Sequence, residues 1–334
     1  MKLNKQHKVI DKTYRQYYTL NKRNLQIIWK QYNIFNDKTY GFIDANRIAR
    51  KEAFMLKIIK HQTSFILRQN MSLAIFFVLL SIVFLNFRSN VLTFQGRDVI
   101  EMYHPAKLLA LSYDQVYNNM DIMLLLIQLY PILIVCPAGF TLLSEKKRKT
   151  DCLLIARIGG TQYYLGKTIA AFFATMIVFM VPFLIEFGLN CVSFPLSANG
   201  DLIDLSHYSL SYIELMNNYM FPALFHMNSY LYTFAGILFW GITSGIIGMF
   251  TVAISGIIPF HFKILLFLPI YVLLNISAYL SKITDKLPFT VKWYNYVFLF
   301  DDHVKNSTFF ISFLAILFVI SIICSIIKGK GDQL

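Results

Sequence analysis

Six long runs of apolar residues interrupt the chain, and each is long enough to cross a lipid bilayer. A membrane-spanning helix needs about 20 such residues, because each residue adds about 1.5 Å along the helix axis. The runs cover residues 71–87, 122–143, 168–193, 230–255, 264–281 and 308–327, of which the fourth and fifth are the least cleanly separated. We therefore predict an all-α polytopic membrane protein with six transmembrane helices spread over residues 69–328.

Composition supports this prediction. The chain is 56% hydrophobic and only 15% charged, with a mean hydropathy of +0.53, whereas soluble domains carry roughly 25% charged residues. The net charge of +13 would otherwise point to a nucleic-acid partner. Here the charge follows the predicted topology instead, so no nucleic-acid partner is expected.

The positive residues are concentrated on one side of the predicted spans. With the N-terminus in the cytoplasm, 24 of the 31 Lys and Arg residues fall in cytoplasmic segments, including the short tail 329–334. The segment 194–229 has three acidic residues and no cation. Because positive loops stay inside, we predict a multi-pass protein of the cell membrane with both termini in the cytoplasm.

Residues 1–68 form a basic arm ahead of the first span, and within it residues 44–68 have the pattern of an amphipathic helix. Ile48, Met55, Ile59 and Ile66 recur at helical spacing, and a separate stripe carries Arg50, Lys57, His61 and Arg68. Such a helix is expected to lie in the inner interface, with its cations toward anionic lipids. Membrane lipids are therefore predicted partners, and a specific docking role for the arm is an equal alternative.

The sequence offers no recognisable catalytic or metal-binding motif. The four cysteines and seven histidines are scattered. The sequence contains no HExxH, CxxC or GxSxG motif, so no metal site and no enzyme activity are expected. The segment Gly160–Thr168 resembles a phosphate-binding loop but has five residues between its glycines, where the motif needs four. If ATP drives this protein, its site is on a partner.

Residues 144–167, between the second and third spans, carry a short motif. Its matching residues are Glu145, Thr150, Leu153, Leu154 and Lys167, with Lys149 before Thr150. In topology and in this motif the chain resembles the permease subunit of a type-2 ABC exporter, whose motif has Gly where this chain has Lys149. The resemblance covers residues 44–328.

The resemblance implies that this loop is a coupling helix resting in a groove on a cytoplasmic ABC ATPase subunit, which would bind ATP and Mg. The expected contact residues are Glu145, Thr150, Leu153, Leu154, Ile155 and Arg157. The resemblance also implies a second permease, either another copy of this chain or a sister permease, because one chain supplies half a pore. The alternative reading is a basic turn that only sets topology.

Few polar groups lie inside the predicted spans. Glu186, with Asn190 one turn later, is a candidate for the substrate path, because an intramembrane carboxylate is costly and usually functional. The alternative is that Glu186 reaches water at the outer interface. In the fourth span, Gly241, Ser244, Gly245 and Gly248 form small-xxx-small pairs that predict close helix packing, either within one subunit or across a dimer.

The expected function is export of an amphiphilic or hydrophobic substrate, such as a peptide, drug or lipid-like molecule, powered by a separate ATPase. A non-transporting membrane scaffold or sensor is the alternative, for which the basic arm is the best argument. An intramembrane enzyme is a third possibility, but the paired catalytic residues it needs are missing.

Overall fold

The protein was analysed as a computed structural model. It describes residues 45–98, 102–113, 120–148, 150–196, 217–258, 263–283, 288–301 and 303–332. The arm 1–43 and most of the segment 194–229 lie outside the described residues. The chain divides into two compact units, 1–54 and 55–334, and the second unit holds the features discussed below.

The described residues are mostly helical. In chain order the α-helices are α1 Ala45–Leu67, α2 Asn70–Phe94, α3 Met120–Val135, α4 Gly139–Lys147, α5 Thr150–Ile158, α6 Gly160–Ser193, α7 Pro222–Met227, α8 Ser229–Ile257, α9 Phe267–Ile283, α10 Trp293–Val297 and α11 Ser307–Gly331. Two short 3-10 turns, Pro105–Leu108 and Lys263–Leu266, complete the order. The extended pairing among these residues is a single parallel bridge between Ser112 and Leu299.

Five helical stretches of the described part are long and apolar enough to cross a membrane. They are Asn70–Phe94, Ile122–Lys147, Gly160–Ser193, Ser229–Ile257 and Ser307–Gly331. The remaining predicted span corresponds to α9, which has 17 residues and whose side chains are described only as far as Ile276. The membrane-embedded helical class is therefore supported, whereas the number of six spans is not confirmed.

Helix α8 lies at the centre of the bundle, since 72% of its most apolar window is buried, against 28% for α11. The outer helices expose large apolar side chains, among them Phe77 and Leu85 on α2 and Ile316 and Ile323 on α11. A soluble monomer rarely exposes apolar surface of this extent. These faces suit contact with lipid.

The small residues of α8 allow it to approach α6 closely. A Cβ added at Gly248 would lie 2.5 Å from Thr175 Oγ1, and one added at Gly245 would lie 2.9 Å from the Phe172 carbonyl oxygen. Gly241 faces Met180 in the same way, and Ser244 is buried, with its Oγ 3.0 Å from the Tyr130 hydroxyl. This face of α8 is therefore occupied within the chain by α3 and α6.

Helix α1 buries a stripe that differs from the predicted one. Among its described side chains, from Phe54 to Leu67, Ile58, Gln62 and Ile66 are buried, and the Ile58 side chain lies beside Gly166 of α6. The predicted positions Ile48 and Arg50 lie outside the described side chains. Of the predicted apolar stripe, Ile66 is buried, while Met55 and Ile59 are half-buried. Part of the apolar face of α1 thus packs on the protein itself, while Leu56 and Phe65 remain exposed.

Two segments that contain only short helical pieces, Pro105–Leu108 and Trp293–Val297, pair with each other. Residues 105–112 are buried throughout, and they meet residues 293–300 through hydrogen bonds from Tyr113 N to Leu299 O (2.8 Å) and from Leu299 N to Leu111 O (2.9 Å). Irregular backbone at this depth must have its polar groups satisfied by the protein. The side chains that satisfy it are described below.

Candidate functional site

Helix α5 lies at a sharp corner between α4 and α6. Gly159 ends it with φ 90°, a left-handed value that favours glycine, and α6 begins at Gly160. The predicted loop 144–167 is therefore three pieces: the end of α4, all of α5 and the first turns of α6. Asp151 in the first turn of α5 and Arg157 in the last both oppose the helix dipole favourably.

The two faces of α5 differ in what they contact. Leu154 and Ile155 are half-buried and pack against an apolar cluster that includes Ile66, Leu142 and Tyr163. Leu153 is 61% exposed. Exposure continues around this face at Cys152, Ala156 and Arg157, and on α4 and its end at Lys147 and Arg148. The helical phase therefore leaves Leu153, rather than Leu154 or Ile155, for contact with another molecule.

Glu145 joins the corner to the start of α6. Its carboxylate accepts hydrogen bonds from the Tyr163 hydroxyl and from Lys167 Nζ, and its carbonyl accepts one from the Thr150 hydroxyl at 3.3 Å. The side chain of Lys167 is 1% exposed and that of Glu145 is 12% exposed. A buried ion pair with a further hydrogen bond holds its members strongly in place, because separating them leaves an uncompensated charge.

Two further contacts connect this corner to α8 and α11. Lys146 Nζ donates to the Gly256 carbonyl at 3.0 Å and the Ser255 carbonyl at 3.3 Å, where the end of α8 leaves its carbonyls unpaired within the helix. Tyr164 donates to Asp332 at 2.6 Å, and Lys328 donates to the other oxygen of the same carboxylate at 2.6 Å. The corner is thus attached to α6, α8 and α11 together.

The carboxyl group of Asp332 is acidified by this setting. Partial burial opposes its charge, but the hydrogen bonds from Lys328 and Tyr164 and the positive charges of Lys328 and Lys146 outweigh burial, so the pKa of Asp332 lies below its ordinary value. The group is ionised at neutral pH, which keeps the link between α11 and α6 in place. The predicted cytoplasmic tail 329–334 therefore starts inside α11 and contributes to this corner.

Sequence reasoning found the residues of the corner but missed some of their partners. The structure brings Glu145, Thr150, Leu153, Leu154 and Ile155 together at one place, with Arg157 on the exposed face. Tyr163, Lys146 and Asp332 were not singled out as ligands of these groups. The sequence gives little indication of these contacts, because a Tyr or Lys near a helix end is common and the sequence does not show its partner.

Glu186 forms a second polar site, in the interior of the same helix α6. The side chain is fully buried, so it does not reach water as one reading of the sequence proposed. Its Oε1 accepts hydrogen bonds from Asn86 Nδ2 at 2.5 Å and from the Ala110 backbone N–H at 2.9 Å. Glu186 thereby connects α2 to the buried segment 105–112.

Three carboxamides complete this second site. Asn86 and Asn90 of α2 both donate to the Leu108 carbonyl, at 2.9 and 2.7 Å, and Asn190 donates to the Pro105 carbonyl at 3.4 Å. These side chains satisfy the backbone of the segment, as its depth in the bundle requires. The signal in the sequence was available, since Asn86 and Asn90 lie one helical turn apart at the end of an apolar run.

Comparison with known proteins gives no relative. No protein-family model, no curated protein and no solved structure matches the chain. The functional argument therefore depends on the residues and contacts above.

Proposed function

We propose that the chain is the transmembrane permease subunit of a type-2 ABC exporter, and that it moves an amphiphilic or hydrophobic substrate outward across the cell membrane. ATP and Mg would bind a cytoplasmic ATPase subunit, and a second permease copy would complete the path. In this proposal α9 is the sixth span, and both termini are cytoplasmic.

The exposed face of α5 is the observation that carries the proposal. A topogenic turn needs only positive charge, which Lys146 to Lys149 already supply. This corner has more: Leu153 and Arg157 are exposed on a helix whose other face is packed, and Lys147 and Arg148 are exposed just before that helix. An apolar contact with a polar rim is the common arrangement of a protein interface.

The attachments of the corner support the same proposal. A coupling element must pass a push from the ATPase into the spans as a rigid-body movement. On either side of α5, the Glu145–Lys167 ion pair joins the end of α4 to the 34-residue helix α6. Lys146 joins the end of α4 to α8, and the Tyr164–Asp332 contact joins the start of α6 to the end of α11. Force applied at Leu153 would therefore reach three long helices.

The test is retention of the ATPase during purification. We expect the tagged wild-type chain, extracted from its native membranes in mild detergent, to bring down a P-loop ATPase that hydrolyses ATP. Leu153→Asp is expected to insert normally but to lose this partner at least tenfold, because a charge placed in an interface hot spot costs about 2 kcal/mol or more. Neutralising Lys147 alone should change little, since rim charges contribute weakly.

Leu56→Asp is the matched control, because Leu56 is 66% exposed on α1 and receives the same charge. It should retain the ATPase. If the wild-type chain purifies without any ATPase, or if Leu153→Asp keeps a stoichiometric one, the exporter proposal fails and a scaffold or sensor is the better account.

A further inference from the structure

Three buried oxygen atoms around Glu186 have no hydrogen-bond partner. They are Glu186 Oε2, Asn86 Oδ1 and Asn190 Oδ1, and all three side chains are at least 95% buried. An unpaired buried acceptor typically costs about 1–3 kcal/mol. Three of them in adjacent side chains indicate that something binds there.

The three oxygens belong to one neighbourhood. Asn86 Oδ1 is on the carboxamide whose nitrogen contacts Glu186 at 2.5 Å. Asn190 follows Glu186 by four residues on α6, a spacing that puts two side chains side by side on a helix. The carboxamide nitrogens of Asn86 and Asn190 already donate to the Leu108 and Pro105 carbonyls, and Glu186 Oε1 already accepts from the Ala110 N–H. The unpaired oxygens are what remains to bind a ligand.

The chemistry of these oxygens selects the ligand. A proton on Glu186 Oε2 would neutralise the carboxylate and supply one O–H donor, which still leaves at least one of the two carboxamide oxygens unpaired. A water molecule would offer two donors but leave a buried negative charge, which is costly without a positive partner. A small hard cation prefers oxygen ligands of this kind and would satisfy all three atoms while cancelling one negative charge.

We propose that Glu186, Asn86 and Asn190 bind a monovalent alkali cation between α2 and α6. The site carries one carboxylate and two neutral carboxamides, so a monovalent ion matches its charge, whereas a divalent ion would leave an excess buried positive charge. The bound ion would hold the segment 105–112 against both helices. This inference does not depend on export, and the sequence analysis expected no metal site.

The test is the thermal stability of the purified full-length chain in detergent at pH 7.5. Its melting temperature is measured in NaCl, in KCl and in choline chloride at equal ionic strength. We expect Na⁺ or K⁺ to raise the melting temperature over choline by about 3 °C or more, with saturation as the salt concentration rises, because the ligand binds only the folded protein. Glu186→Gln should remove this difference.

Glu145→Gln is the matched control, since it makes the same substitution at a carboxylate that already has a cationic partner, Lys167. It should lower the melting temperature while keeping the full difference between alkali cation and choline. Equal melting temperatures of the wild-type chain in all three salts would overturn the proposal. So would a Glu186→Gln chain that keeps the cation effect, or one that is more stable than wild type in every salt, which would mean that the site holds a proton.

Discussion

Helix α6 carries two buried polar sites that satisfy a carboxylate in different ways. Near its start, Lys167 forms an ion pair with Glu145 of α4. Nineteen residues later, roughly 28 Å along the helix axis, Glu186 accepts hydrogen bonds from the neutral donors Asn86 Nδ2 and Ala110 N. The two charges of the first site cancel each other, whereas in the second site Glu186 Oε2 has no hydrogen-bond partner.

The difference indicates what each end of the helix is built to do. An internally neutral ion pair needs nothing from outside, so the Glu145 end serves as a permanent attachment for the exposed helix α5. A carboxylate held by neutral donors keeps capacity for a positive ligand, so the Glu186 end is the one expected to respond to ions. Four substitutions test this contrast, and they are ordered by expected effect.

Lys167→Met is expected to have the largest effect. Removing one member of a buried ion pair leaves the other as an uncompensated charge, which costs about 3–5 kcal/mol. The measurement is thermal unfolding of the purified chain, together with its yield in the membrane. Adding Glu145→Gln to Lys167→Met should restore much of the loss, because no charge then remains unpaired.

Lys328→Met is the control for this variant. The Lys328–Asp332 pair is also a direct contact between a Lys and a carboxylate, at 2.6 Å, but its side chains are 30% and 27% exposed, so its loss should cost at most about 1 kcal/mol. Equal effects of Lys167→Met and Lys328→Met would show that the Glu145 site is not the strong attachment inferred here.

Glu186→Ala is expected to destabilise the chain by about 3 kcal/mol. The substitution leaves the Ala110 N–H without its acceptor and opens a cavity beside α2. Glu186→Gln keeps an acceptor for both donors and should lose clearly less when both variants are compared in choline chloride. Hydrogen exchange at Ala110 would separate the two, with fast exchange in Glu186→Ala alone. Slow exchange there in both variants would show that Glu186 does not hold the segment.

Gly248→Ala tests the packing between the two polar sites. Its new Cβ would lie 2.9 Å from Thr175 Cβ, an atom that cannot move without the backbone of α6, so we expect a loss of about 1–2 kcal/mol from overpacking. Gly188→Ala is the control, because nothing lies within 4 Å of the added Cβ. It should be neutral or slightly stabilising, since Gly costs helix stability relative to Ala. A harmless Gly248→Ala would contradict the close approach of α8 and α6.

Asp332→Asn is expected to have the smallest effect on the melting temperature, and this effect depends on pH. The pKa of Asp332 is lowered in the folded chain, so its carboxylate stabilises the fold above its ordinary pKa, and this contribution is lost as the pH falls through the lower folded value. We expect Asp332→Asn to melt below wild type at pH 7 and to approach it as the pH falls below about 4. A difference between the two chains that stays constant from pH 7 to pH 3 would contradict the assignment.

Local patterns were sufficient for the class of protein and for most helix positions. Long apolar runs predict long apolar helices because hydropathy and length act on each segment separately, and five of the predicted runs coincide with such helices. The run at 264–281 shows the limit of the pattern. Helix α9 has 17 residues, at the lower end of the range for a spanning helix, and composition does not distinguish a short span from a buried helix.

Glu186 shows why the second site was only half predicted. A carboxylate in an apolar run stands out in the sequence, and so does Asn190 beside it. Their partners Asn86, Ala110 and Pro105 are far away in the chain, and two of them contribute backbone atoms. Such a partner carries no side-chain signal, so the sequence could mark Glu186 without showing whether it faces water, substrate or another segment.

The sequence by itself determined that this protein is helical and membrane-embedded, and that a short basic and apolar corner connects its second and third long helices. Only the tertiary structure decided the rotation of each helix. In the folded chain Leu154 and Ile155 pack against the protein, whereas Leu153 is exposed. Glu186 is buried against the segment 105–112, and the glycines of α8 lie against α6. The physical reason is that an apolar side chain gains little by facing protein rather than lipid, so rotation depends on small residues and polar partners that are distant in the chain.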